Sequence, residues 1–179
     1  MDRRLLATTV ATAALAGGSA RAESHHPVPT IAWVLTQAIP SPGHGWDRDG
    51  HTLSLRWQVT PFLYSWGVHR RAPIRFRAFI VEPSLRNTGS IETWIGPEWL
   101  RDGHRSVLRG GVRSYFPVAE RGDGVSMSIG TGVWTHGREV GPVIEVGMYV
   151  LFGVLGVQLS HAPGLEHAEW MATLSWRAL

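Results

Sequence analysis

The closing stretch of the chain, WMATLSWRAL from Trp170 to Leu179, decides the fold. Trp170, Ala172, Leu174 and Trp176 share one parity, while Thr173, Ser175 and Arg177 share the other. Successive side chains of a β-strand point to opposite faces, so this segment has one apolar and one polar face.

The same split recurs upstream. Val125, Met127, Ile129 and Val133 alternate with Ser126, Ser128, Gly130 and Gly132. Ile144, Val146, Met148 and Val150 stand opposite Glu145, Gly147 and Tyr149, and Leu155, Val157 and Leu159 opposite Gly156, Gln158 and Ser160. Further strands are expected near Ser54–Tyr64, Arg75–Arg86, Ile91–Trp99 and Val107–Val118, with turn signals at residues 87–90 and 120–124. With the last segment that makes about eight strands, which predicts an all-β, antiparallel, up-and-down barrel over residues 54–179.

The other end differs in kind. Arg3 and Arg4, an apolar run from Leu5 to Ala16, and small residues at Ala20 and Ala22 read as a signal peptide over residues 1–22. Residues 23–53 form an arm. In it, Ile31 to Ile39 fits a short amphipathic helix, with Ile31, Val34, Leu35 and Ala38 on one side, or equally a strand; the expectation is a short helix or an irregular arm lying against one end of the barrel. Ser41 to Gly50 (SPGHGWDRDG) has the composition of a loop.

The 179 residues contain no cysteine, which excludes disulfides and thiolate chemistry. Lysine is absent. Beyond Ala22, 14 arginines against 13 acids leave about +1, so the charge does not ask for nucleic acid. No later stretch is long and apolar enough for a helical membrane span, so any crossing must use strands.

The polar parity separates a membrane barrel from a soluble sandwich or a lipocalin-like periplasmic binder. A face bathed in water favours Lys, Glu, Thr and Asn; here Ser, Gly and Gln suit a crowded lumen. Trp57, Trp99, Trp134, Trp170 and Trp176 are assigned to the apolar face near strand ends, where aromatic girdles belong.

On this pattern, Ser54 to Leu179 resembles the small eight-stranded outer-membrane barrels of Gram-negative bacteria. The resemblance implies a transmembrane β-barrel inserted by the barrel-assembly machinery, with both termini periplasmic and outer-membrane lipid and lipopolysaccharide as partners. Such barrels usually end in an aromatic residue on the lipid-facing parity. This chain ends in Leu179, with Trp176 and Ala178 on that parity.

Three sets of residues carry candidate chemistry. The inward parity holds Arg56, Arg109, Arg113 and Arg177 with Glu82, Glu92 and Glu145. These read as a salt-bridge network plugging the lumen, or else as a polar path for ions. Arg70, Arg71, Arg101 and Arg105 lie in loops expected at the outer rim, where guanidinium groups could bind lipid phosphates or be ordinary solvated charge. Ser160, His161 and Glu166 are the residue types of an activated nucleophile, and lipid A deacylases and acyltransferases are themselves eight-stranded barrels. Yet neighbouring strand residues point apart, so Ser160 and His161 are not expected to bond. His25 and His26 have the chemistry to bind a metal near the mature N-terminus, but two histidines in a tail are more often incidental, and no metal or cofactor is expected. The sequence therefore reads as a small integral outer-membrane protein with a structural or envelope-interaction role and no evident catalysis. The alternatives are a lipid-modifying barrel enzyme and a soluble periplasmic binder.

Overall fold

The computed structural model describes residues 31–66, 89–118, 125–151 and 154–176. Among them lie a short helix, α1 (Ile31–Thr36), and nine strand segments: β1 (Ser41–Trp46), β2 (His51–Arg56), β3 (Val59–Trp66), β4 (Gly89–Leu100), β5 (Arg105–Pro117), β6 (Val125–His136), β7 (Glu139–Val150), β8 (Leu155–His161) and β9 (Trp170–Trp176). The signal-peptide reading, His25, His26, the strand expected at Arg75–Arg86 with Glu82, and Arg177 fall outside the described residues.

β2 and β3 act as one wall strand. Both pair antiparallel with β4, Leu55 opposite Trp99 and Val59 opposite Ile95. The chain bends between them at Trp57, whose amide donates to the Pro97 carbonyl at 3.0 Å. Gly96 is required beneath this bend, because a Cβ there would lie 1.9 Å from the Trp57 carbonyl oxygen. The remaining strands pair in sequence order through β9. β1 closes the ring, with Gly43 opposite both Ser54 of β2 and Thr173 of β9. The result is a closed antiparallel barrel of eight wall strands.

One of those eight is not where the sequence put it. Ser41–Trp46 reads as loop because of Pro42, Gly43 and Gly45, yet it is a wall strand, so the barrel begins ahead of Ser54. The glycines answer to steric need. A Cβ on Gly43 would meet the Ser54 hydroxyl at 2.5 Å, and one on Gly45 would press on Ala168 and Thr52 at about 3.2 and 3.1 Å. Pro42 precedes the β9 ladder, which starts at Gly43, so its missing N–H breaks no bond to β9.

The polarity of the wall is inside-out. Thr52, Ser54, Arg56, Gln58 and Thr60 are buried along β2 and β3, while Leu53 and Val59 are exposed. Ile129 and Met148 are more than half exposed and Leu174 is half-buried, whereas Ser128, Gly147 and Ser175 are buried. The alternation expected from the sequence is borne out, with the polar parity facing the lumen.

Trp134 is a correction. It has the even parity of Ser128 and Gly130, points inward and is 3% exposed. With Leu100, Val107, Val143 and Met171 it forms an apolar cluster at one end of the lumen. The β8–β9 connection folds down onto it through buried Ala162, Leu165 and Ala168. Two backbone turns hold this cap, Leu165 to Ala162 and Ala168 to Leu165, both 3.1 Å.

Of the forms left open for this stretch the helix is the one present, and its apolar side faces outward. Ile31, Val34 and Leu35 are exposed and Trp33 is the buried residue. The arm touches the wall where Gln37 Oε1 accepts from the Thr60 amide at 3.0 Å.

Candidate functional site: a charged lumen beneath a capped rim

Six charged side chains meet in the lumen, each no more than 2% exposed. They form a chain of alternating sign. Arg113 of β5 contacts Glu92 of β4 at 2.9 Å and Glu145 of β7 at 2.5 Å. The other Glu145 oxygen faces Arg56 of β2 at 3.9 Å. Arg56 pairs with Glu98 at 3.3 Å, and Glu98 contacts Arg109 of β5 at 2.7 Å. The order Glu92, Arg113, Glu145, Arg56, Glu98, Arg109 is neutral overall.

Polar and aromatic side chains flank it. Tyr115 donates to Glu92 Oε1 at 2.7 Å and Thr60 to Oε2 at 3.0 Å. The Arg113 guanidinium stacks 5.3 Å from the Trp94 ring. Tyr115 and Tyr149 meet edge to face at 5.2 Å, and Gln158 bonds the Tyr149 hydroxyl. Several polar atoms in this region have no hydrogen-bond partner among the described residues: Arg56 Nη1, Arg109 Nη2, Glu145 Oε2 and Thr173 Oγ1. The Arg109–Glu98 approach is likewise an ion contact without an aligned N–H, since Arg109 Nε satisfies no hydrogen bond.

Of the lumen residues expected from the sequence, Arg56, Glu92, Arg109, Arg113 and Glu145 converge, while Glu82 and Arg177 lie outside the described residues. Glu98, which holds two of the arginines, is the missing member. Its parity is that of Glu92, and this was the signal that marks it.

The nucleophile candidates do not converge. Ser160 points into the lumen, where its hydroxyl accepts from Arg109 Nη1 at 3.3 Å. His161 points outward and packs against the Trp170 ring, tilted by 31° with 4.4 Å between ring centroids. Glu166 pairs instead with Arg105 at 2.5 Å. The alternation that argued against a Ser160–His161 bond holds in three dimensions.

At the rim, residues 47–50, 101–104, 137–138 and 162–169 connect strands at the capped end. The segment containing Arg70 and Arg71 lies outside the described residues, and the strand ends that flank it, Trp66 and Gly89, are at the opposite end.

Asp47 organises the capped rim. Its carboxylate accepts from the Asp49 and Gly50 amides at 2.8 and 2.9 Å and from the His167 amide, stitching the β1–β2 turn to the cap. Partial burial works to raise its pKa. The amides of Asp49, His167 and Gly50, with the nearby His167 ring, outweigh that and hold it below the usual carboxylate range.

No family model matches the chain, and neither a curated protein nor a solved structure does. Among the described residues no cluster of three or more His, Asp or Glu could hold a metal ion.

Proposed function

We propose that this protein is an integral outer-membrane β-barrel with a plugged polar lumen, serving a structural or envelope-interaction role. The supporting observation is the reversed polarity of the wall. Three arginines and three glutamates are sealed inside, while Val133, Ile144, Met148 and Val157 are each more than half exposed outside. In water that arrangement forgoes apolar burial, about 25 cal/mol per Å² left exposed. In hydrocarbon the same arrangement is favourable, since the apolar parity meets lipid and the strand ladder of the described residues closes without an open edge.

Aromatic placement supports the same reading. Trp46, Trp99 and Trp170 lie toward the capped end and Phe62, Phe116 and Trp176 toward the other. Ser106, the cross-strand partner of Trp99, precedes Phe116 on β5 by about ten residues. At about 3.4 Å per residue and a tilt of about 40°, the two levels stand roughly 26 Å apart, close to the apolar band of such barrels. Secretion through a cleaved signal and insertion by the barrel-assembly machinery belong to this proposal. So does contact with lipopolysaccharide, for which Arg101 is the better rim candidate because Arg105 is tied to Glu166.

Membrane fractionation with gel migration before and after heating tests the reading. A membrane-bound band that shifts on heating is expected. A protein recovered in the soluble periplasmic fraction would overturn it.

A further inference from the structure

Outside the barrel, toward its capped end, a groove is lined by His44, His51, Thr52, Leu53, Arg101 and Asp102, with a volume of about 440 Å³. It is built by three strands. His44 stands opposite Leu53 across the β1–β2 ladder, and His51 opposite Trp46. The end of β4 runs beside them, with the Arg101 amide donating to the Leu53 carbonyl at 2.8 Å and the Asp102 amide to the Thr52 hydroxyl at 3.1 Å. The two imidazoles lie 5.8 Å apart, and His44 stacks on Trp46. Arg101 has no carboxylate partner among the described residues, unlike neighbouring Arg105.

These groups are arranged as an amphiphile is. Hydrogen-bond donors and the Arg101 guanidinium sit at the rim, and exposed Leu53 and half-buried Leu55 continue toward the mid-wall. We propose that this groove holds the phosphate of a membrane lipid headgroup, with the acyl chains running along the Leu53 side. The inference rests on the membrane reading above. Arg101 supplies a charge-assisted fork and the imidazole N–H groups complete the donor set. Asp102 borders the same groove and opposes a second negative group, so the site takes a single phosphate. Histidine 44 and histidine 51 carry no sequence motif; only the folding of SPGHGW into a strand beside His51 brings them together.

The test uses the full chain folded in neutral maltoside micelles, with bound lipid counted by native mass spectrometry. Phosphatidic acid is the probe, diacylglycerol the phosphate-free comparator and inorganic phosphate the lipid-free one. The protein should retain phosphatidic acid and release diacylglycerol. Arg101→Gln, and His44→Ala with His51→Ala, should each lower retention by about fivefold or more. Asp102→Asn should raise it, and Arg138→Gln, at the remote β6–β7 turn, should leave it unchanged. Equal retention of diacylglycerol, unchanged retention in Arg101→Gln, weaker retention in Asp102→Asn, or inorganic phosphate held as tightly as the lipid would each overturn the proposal. A heat-shift gel on every variant keeps the two readings apart. Variants that migrate as folded membrane barrels yet retain lipid normally sink the groove alone.

Discussion

Glu145 is the hinge of the lumen chain, and replacing it tests the interior most directly. One of its oxygens accepts from Arg113 Nε at 2.6 Å and contacts Nη2 at 2.5 Å, while the other faces Arg56. Its position is fixed by Gly130 across the β6–β7 ladder, where a Cβ would lie 2.8 Å from Glu145 Oε1. Glu145→Gln keeps the shape and one acceptor but leaves the chain at a net +1. Two charge-assisted contacts become ordinary ones, each weaker by about 1 kcal/mol, so the loss is about 2 kcal/mol. Glu145→Arg removes the acceptor and sets a third guanidinium against Arg113 and Arg56. Breaking a buried pair from one side costs about 3–5 kcal/mol, and reversal adds repulsion.

The assay is a urea titration of the barrel folded in lipid vesicles, reading the folded fraction from unheated gel mobility. With a slope of about 1–3 kcal/mol per molar urea, Glu145→Gln should lower the midpoint by about 1 M and Glu145→Arg by more. Adding Arg113→Gln to Glu145→Gln restores neutrality, so the double variant should lose less than the sum of the singles, by about 1 kcal/mol. An unchanged midpoint for Glu145→Arg would refute the placement of this side chain in a closed, charge-paired lumen.

Trp134→Ala should destabilise the barrel by about 3–5 kcal/mol in the same titration, since it empties the centre of the apolar cap. Ser160→Ala strands an Arg109 donor and should lower stability by about 1–3 kcal/mol; the same variant losing a lipid-hydrolysing activity of the purified barrel would instead point to catalysis. Asp47, with its pKa depressed in the folded state, contributes stability that is full above the ordinary carboxylate range and is lost as pH falls through the lowered value. Acid titration of amide exchange in the cap should therefore show protection falling in that acidic window, and Asp47→Asn should flatten the dependence. Gly43→Val should fail to close the ring, visible as loss of the heat-dependent gel shift, because the new side chain would enter the Ser54 hydroxyl.

Most of the wall was legible in the sequence because period-two alternation is a local property. Ile129 and Ser128 declare their faces without reference to any partner. What failed was non-local. SPGHGW carries the residues of a turn, and nothing within six positions announces that Gly43 must admit β2 and β9 at close range. Missing that strand also reverses the direction expected for the next wall strand, β2–β3. Trp134 was misassigned because aromatic character outweighed its parity, although parity alone placed it with Ser128. Glu98 was readable by the same count that found Glu92. Arg101 was legible as a charge, but its groove was not, because His44 and His51 become neighbours only through β1.

The alternating charge chain also explains how such a wall keeps its register. An apolar outer face is nearly indifferent to a slip along the strand, since one aliphatic side chain replaces another against the same surroundings. The lumen is not indifferent. Arg56 on β2 and Glu145 on β7 sit half-way round the ring from each other, four strand steps by either path. Glu98 and Arg113 join β2 and β7 to the adjacent β4 and β5. Sliding β7 by two residues would bring Gly147 or Val143 to the level of Arg113, breaking the buried Glu145 pair and leaving Glu92 as the carboxylate beside that guanidinium. That penalty, about 3–5 kcal/mol, exceeds what a slipped outer face could recover. The charges thus act as cross-braces that select one shear, with Trp134 and Leu165 packed above them.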